Sequence, residues 1–211
     1  MAEPARSPAL PAALDGHTWP AQGDWTYEDY LRLPDDGNRY EVIRGSLYVT
    51  PPPIYDHQYV VWQLDQTLGR FVHENKLGVV LIAAFDIRLP SRLTDPIEPD
   101  VIFFRSGNQP RPGARFFQGV PDLVIEVLSP STRRNDQTVK FDAYREAGIP
   151  EYWLVDPKAR TVVVYSLSED CRRYIELGRG GERETVRSAA LPGLEVRVGD
   201  LFPPAAANAA V

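Results

Sequence analysis

Between Pro99 and Asp156 the chain reads as strand, loop, strand, helix, strand, and one of those strands carries an acid inside an apolar run. Pro121-Asp-Leu-Val-Ile-Glu-Val-Leu128 has the composition of a central strand, with Glu126 on the same face as Val124 and Leu128. A carboxylate among such neighbours is costly unless something neutralises it. The surrounding alternation of strands and helices argues for an α/β domain.

The flanking segments extend that pattern. Trp25 to Leu33 reads as a short helix capped by Thr26, with Glu28 and Asp29 in its first turn. Tyr40 to Thr50 alternates as a hairpin around Arg44-Gly45, and Pro51, Pro52 and Pro53 end it. From Asp56 to Asn75, Val61, Leu64, Leu68 and Phe71 recur at helical spacing with His57 on the same face, and Gly78 is the expected terminator. Strands are expected over Val79–Leu89, Val101–Phe104 and Leu123–Leu128, the last two separated by a long loop, Arg105–Gly119. Asn135 or Asp136 can cap a helix running to Ala147, with Gly148 just beyond it. Glu151–Val155 and Thr161–Ser166 pair as a hairpin, and Arg172–Leu177 and Leu194–Val198 are β-like. Gly178-Arg-Gly-Gly181 reads as a hairpin turn. The expected architecture is a mixed central sheet flanked by helices, with extra β-hairpins at both ends.

At 211 residues the chain suits one domain, expected over 23–203, with an Ala/Pro-rich disordered tail over 1–22 and a flexible tail over 204–211. The single cysteine, Cys171, excludes an intrachain disulfide and a Cys-based metal site, and reads as a small buried or edge residue. A net charge of -6 argues against a surface that coats nucleic acid, because backbone affinity comes mainly from Lys and Arg. A locally basic cleft is still open to it. Arg111, Arg115, Arg133 and Arg134 are candidate phosphate contacts, and each reads equally well as a solvated loop arginine. No apolar run approaches the roughly 20 residues that span a bilayer. A cytoplasmic protein without a membrane partner is expected.

Asp100 and Glu126 are the acids best placed for chemistry. If two such carboxylates converge at about 4 Å, they repel by about 4 kcal/mol at an effective dielectric of 20. Mg²⁺ or Mn²⁺ between them relieves that repulsion and can lower the pKa of a bound water. Gln137, Lys140 and Tyr144 share one face of the helix after the Glu126 strand, so Lys140 can reach the same space. A solvated helix lysine is the competing reading.

Pro99-Asp100, Glu126-Val-Leu-Ser-Pro-Ser131, Lys140, Tyr144, Gly148 and Glu151-Tyr-Trp-Leu-Val-Asp-Pro157 resemble the restriction endonuclease family of the Uma-two type. Tyr40-Glu-Val-Ile-Arg-Gly45, the prolines at 51–53, His57-Gln58 and Phe85-Asp-Ile-Arg88 extend the resemblance from about Trp25 to Phe202. It implies a fold similar to the PD-(D/E)XK nucleases, with Asp100 and Glu126 as metal-binding acids. Leu128 stands where the lysine of Glu-x-Lys would be, and the resemblance supplies Lys140 as its replacement.

The function expected is metal-dependent endonucleolytic hydrolysis of DNA, with Asp100, Glu126 and Lys140 catalytic and Glu41, His57 and Tyr144 supporting. Glu41 is also an ordinary cross-strand partner for Tyr48, and His57 an ordinary structural histidine. A homodimer would suit the symmetric cutting of two strands. The alternatives are a non-catalytic nuclease-like module binding nucleic acid or protein, and a phosphohydrolase of a small substrate.

Overall fold

The computed structural model of the protein describes residues 18–90 and 96–204. Most of the expected tail over 1–22, and the one over 204–211 save Pro204, therefore lie outside the described residues. Residues 18–22 do not behave as a tail. Trp19 stacks on Trp25 with ring centroids 5.4 Å apart, and the Gln22 side chain accepts a hydrogen bond of 2.7 Å from the Leu47 N–H.

Helix α1 (Tyr27–Tyr30) is shorter than expected, and Thr26 and Asp29 form a reciprocal capping box at its start. Strands β1 (Arg39–Ile43) and β2 (Ser46–Thr50) form the predicted hairpin, with Glu41 opposite Tyr48. Its turn puts both Arg44 and Gly45 at positive φ, the arrangement that suits a two-residue hairpin loop. A side chain at Gly45 would meet the Gly23 carbonyl at 2.2 Å.

Helix α2 (Tyr55–Leu64) passes through one π-helical turn at Asp65–Gly69 into α3 (Arg70–Glu74), forming the long predicted helix. Gly78 does not terminate it; Lys76 takes the left-handed conformation there instead. Gly78 opens β3 (Gly78–Ile82), where an added Cβ would lie 2.0 Å from the Phe104 carbonyl.

The single strand expected over Val79–Leu89 is two. After β3 comes β4 (Asp86–Arg88), which leaves the main sheet and pairs in parallel with β6 (Phe116–Gln118), inside the segment expected to be loop. Between them runs β5 (Val101–Arg105). β7 (Leu123–Val127) is followed by α4 (Arg133–Asn135), a π-helical turn over Asp136–Lys140, and α5 (Phe141–Ala147), closed by Gly148 at φ 84°. Neither Asn135 nor Asp136 caps this helix, which begins before both. The chain then forms β8 (Glu151–Asp156), β9 (Thr161–Leu167) and β10 (Tyr174–Gly181), followed by the hairpin of β11 (Thr185–Arg187) and β12 (Glu195–Arg197). Gly178–Gly181 belongs to β10 and is not a turn. Cys171 is exposed at a positive-φ turn, contrary to the buried or edge position expected.

The main sheet has the order β10-β9-β8-β7-β5-β3. Only β7 and β8 are parallel, and the α4–α5 helix is their crossover. Leu123, Ile125 and Val127 pack with Val60, Leu64 and Leu68 of the long helix on one face. Val124 and Leu128 pack with Ala143 and Tyr144 of α5, and with Ile43 of the first hairpin, on the other. Glu126 alternates onto this second face, between the helix that carries Lys140 and the hairpin that carries Glu41.

Candidate active site

The antiparallel register pairs Val101 with Ile125, so one residue further on Asp100 comes opposite Glu126. Pro99 and Asp100 precede the first residue of β5, and the Asp100 side chain itself continues the ladder. Its Oδ2 accepts the Val127 N–H at 2.8 Å. Arg39 Nη1 donates to Asp100 Oδ1 at 2.8 Å, and His57 Nε2 lies 3.1 Å from Oδ2. Burial opposes ionisation of Asp100, but the His57 hydrogen bond and the charges of Arg39 and Lys140 outweigh it and hold the carboxyl well below its usual range.

Lys140 lies behind Asp100. Its ammonium is 3.0 Å from Glu126 Oε1, 2.9 Å from Glu41 Oε1 and 3.6 Å from Asp136 Oδ1. Tyr144, one turn along the same helix, donates to Glu126 Oε1 at 2.6 Å. Lys140 is only 1% exposed, so the solvated-lysine reading does not hold. Burial works against its charge, yet Glu126, Glu41 and Asp136 push its pKa above the ordinary lysine value. Glu126, wholly buried, goes the other way. Burial first, then the charges of Asp100, Asp136 and Glu41, raise it well above the usual carboxylate range despite Lys140. Its second oxygen, Oε2, is buried and has no hydrogen-bond partner among the described residues.

The predicted core constellation therefore comes together. Lys140, Glu126, Glu41 and Tyr144 form one contact cluster and Asp100 with His57 an adjoining one, the two coupled through charge. The predicted arginines join neither. Arg133 forms a two-pronged ion pair with Asp156 at 2.6 and 2.8 Å, and none of Arg111, Arg115, Arg133 or Arg134 lines the cleft that leads to Asp100.

Four participants, Arg39, Glu98, Asp136 and at the rim Tyr30, are not among the residues expected at the site. Arg39 is two residues from Glu41, and on a strand that spacing puts both on one face, a signal available in the hairpin pattern. Glu98 is likewise two before Asp100, and its N–H donates to Glu41 Oε1 at 2.9 Å. Burial, with the charges of Asp86 and Glu41, raises Glu98 to about 7. Asp136 has the composition of a cap but is buried inside the helix, where burial lifts it to about 6. Tyr30 adds a hydroxyl 3.4 Å from both Asp86 oxygens at the rim.

The donors here are carboxylates, the oxygen ligands that hard divalent cations select. Six acids (Glu41, Asp86, Glu98, Asp100, Glu126 and Asp136) share the region with Arg39, Lys140 and His57, and burial and mutual repulsion raise four of them, Asp86, Glu98, Glu126 and Asp136. That crowding of carboxyls and the orphaned Glu126 oxygen fit a divalent cation, which would favour their ionised forms. Among the described residues, no three His, Cys, Asp or Glu side chains already converge as a coordination cage. His57 and the Val127 N–H fill Asp100 Oδ2, whereas Oδ1 carries the Arg39 contact and keeps a second lone pair for such an ion.

The sequence pattern of the Uma2 family, described as "Putative restriction endonuclease", matches residues 27–199. The chain belongs to the Uma2 family. The crystal structure of a "putative nuclease belonging to DUF820" from Anabaena variabilis ATCC 29413 superposes with a TM-score of 0.69. It is 22% identical, over 84% of this chain and 97% of that one, which shows a shared fold. No curated protein matches the chain. Tyr40, Glu41, His57, Asp100, Glu126 and Ser129–Ser131, all within the matched residues, lie at this one site or its rim.

Proposed function

We propose that this Uma2 protein is a metal-dependent endonuclease that hydrolyses phosphodiester bonds in DNA. The observation that carries the reading is the meeting of Lys140 with Glu126 and Glu41 at 3.0 and 2.9 Å, beside Asp100. An acid–acid–lysine cluster is assembled although Leu128 fills the position two after Glu126. Asp100 and Glu126 are the residues that would hold Mg²⁺ or Mn²⁺. Bound there, such an ion supplies a Lewis acid for the phosphoryl oxygen and a more acidic water.

The chain's own residues do the rest. Lys140 keeps its positive charge among three acids, so it orients Glu126 and Glu41 and offsets negative charge that builds on the phosphoryl group. Tyr144 fixes the rotamer of Glu126 through Oε1 and leaves Oε2 free. Arg39 and His57 position Asp100. Tyr30 and Tyr40, with the prolines at 34 and 51–53, wall the cleft above Asp100 and limit water around it.

A second reading, a nuclease-like module that binds without cutting, is favoured by one feature. Glu126 and Lys140 are 0% and 1% exposed, below a cleft floor that reaches Asp100 and Glu98. The test is nicking of supercoiled DNA with Mg²⁺ or Mn²⁺ against the same protein in EDTA. Glu126→Gln and Lys140→Met serve as controls, with circular dichroism to verify folding. Metal-dependent nicking lost in both folded variants supports the first reading; binding without nicking supports the second.

A further inference from the structure

We propose that the cleft above Asp100 takes a single unpaired nucleic-acid strand, with its bases against an aromatic and proline-lined wall, and not the outer surface of a duplex. The inference rests on the nuclease reading above and narrows its substrate class. The cleft is about 830 Å³, the size of a site for a small organic ligand. Its floor carries Asp100, which is 2% exposed. A duplex presents its phosphates on a convex surface, so a phosphate reaches an acid this deep only if its strand has left the helix. Extruding a paired nucleotide costs a few kcal/mol, whereas a single strand is already open.

The lining agrees with bases more than with phosphates. Tyr30, Tyr40, Pro51, Pro52, Ile54 and Ile82 contribute rings and apolar surface. Arg39 is the one lysine or arginine among the described lining residues, and it is paired with Asp100.

A row of rings lies next to the cleft on the solvent side of α2, turned away from the cleft-lining His57 and Val61. Ile54, which lines the cleft, is followed on α2 by Tyr55, Tyr59 and Trp62, spaced to share one helix face. Their ring centroids are 5.9 and 5.7 Å apart, and Tyr55 and Trp62 are 69% and 52% exposed. Exposed aromatics beside a cleft form a stacking platform for a strand that leaves it, which every base can use because every base has a π-face. No lysine or arginine occurs from Ile54 to Gly69, so affinity there must come from stacking and not from counterion release.

Fluorescence anisotropy in EDTA tests this, comparing a labelled oligothymidylate with a hairpin duplex of equal nucleotide count over a range of salt. The single strand is expected to bind at least about tenfold tighter, with a salt slope equivalent to only one or two phosphates. Tyr55→Ala and Trp62→Ala, both surface changes, should each weaken it about five- to a hundredfold, the loss of one stacked base. Equal or tighter binding of the duplex, or unchanged oligothymidylate affinity in both variants, overturns the proposal. So does a change of oligomeric state in Trp62→Ala with oligothymidylate affinity preserved, which would make this face a subunit contact. Failure of the two readings is separable by adding Mn²⁺. Cutting of duplex without single-strand preference defeats only the strand proposal. Ring-dependent oligothymidylate binding without cutting of any DNA defeats only the nuclease reading.

Discussion

The amine of Lys140 lies 2.9 Å from Glu41 Oε1 and 3.0 Å from Glu126 Oε1, so one buried cation joins the first hairpin to the central strand. Glu41 also accepts the Glu98 N–H, tying the same carboxylate to the approach to Asp100. Removing the ammonium leaves Glu41, Glu126 and Asp136 uncompensated in a buried site. Lys140→Met should therefore destabilise the fold by about 3–5 kcal/mol, read by urea denaturation. Adding Glu41→Gln should recover part of that loss; a double variant less stable than Lys140→Met alone contradicts the account.

Tyr144→Phe tests the positioning of Glu126. The substitution keeps the ring and deletes a 2.6 Å hydrogen bond to a carboxylate, at a cost of about 1–3 kcal/mol in stability. If Glu126 acts in cleavage, turnover should fall about tenfold or more with little change in substrate affinity. Unchanged turnover in a folded variant removes Tyr144 from the site's function.

Asp156 gives a pH dependence with a defined sign. The two-pronged Arg133 pair lowers its pKa, burial opposes this weakly, and the Ala159 and Lys158 N–H groups add to the lowering. A depressed folded-state pKa means the stabilisation is fully present above the unfolded value of about 3.9 and is lost as pH falls through the folded one. The pair is partly solvent-accessible, so about 1 kcal/mol is expected. The gap in thermal midpoint between wild type and Asp156→Asn should be largest near neutrality and shrink on acidification. A gap that widens in acid would falsify the assignment.

Gly78→Ala should be among the most damaging substitutions in the sheet. The new methyl carbon would stand 2.0 Å from the Phe104 carbonyl, at φ 150°, where β3 meets β5. Backbone cannot yield there without breaking the ladder, so a loss of about 2–4 kcal/mol is expected from thermal melts. Gly107→Ala, with positive φ but open space, should cost less.

Much of the fold was legible because it rests on short-range pattern. The Arg44-Gly45 turn, the apolar spacing of Val61, Leu64 and Leu68, and Gly148 after the crossover helix each state a local conformational need. Errors fell where a tertiary neighbour outweighed local preference. Gly78 resembles a helix stop, yet the approach of Phe104 is what requires it. Asp136 resembles a cap, yet Lys140 draws it inside the helix. β4 leaves the line of β3 because its partner is β6, in a segment whose composition reads as loop.

For the site, the sequence by itself determined the inventory: an acid in a central apolar strand, a second acid before its neighbour, and a lysine on the helix that follows. Periodicity decides which face each side chain takes, and that much is local. Only the tertiary structure decided the partners. Arg39 and His57 hold Asp100, Glu41 reaches Lys140 from another hairpin, and Arg133 is drawn to Asp156 and away from the cleft. Those pairings depend on which buried charges are brought within about 3 Å, and the low dielectric of the interior makes that distance, which no spacing along the chain encodes, the controlling quantity.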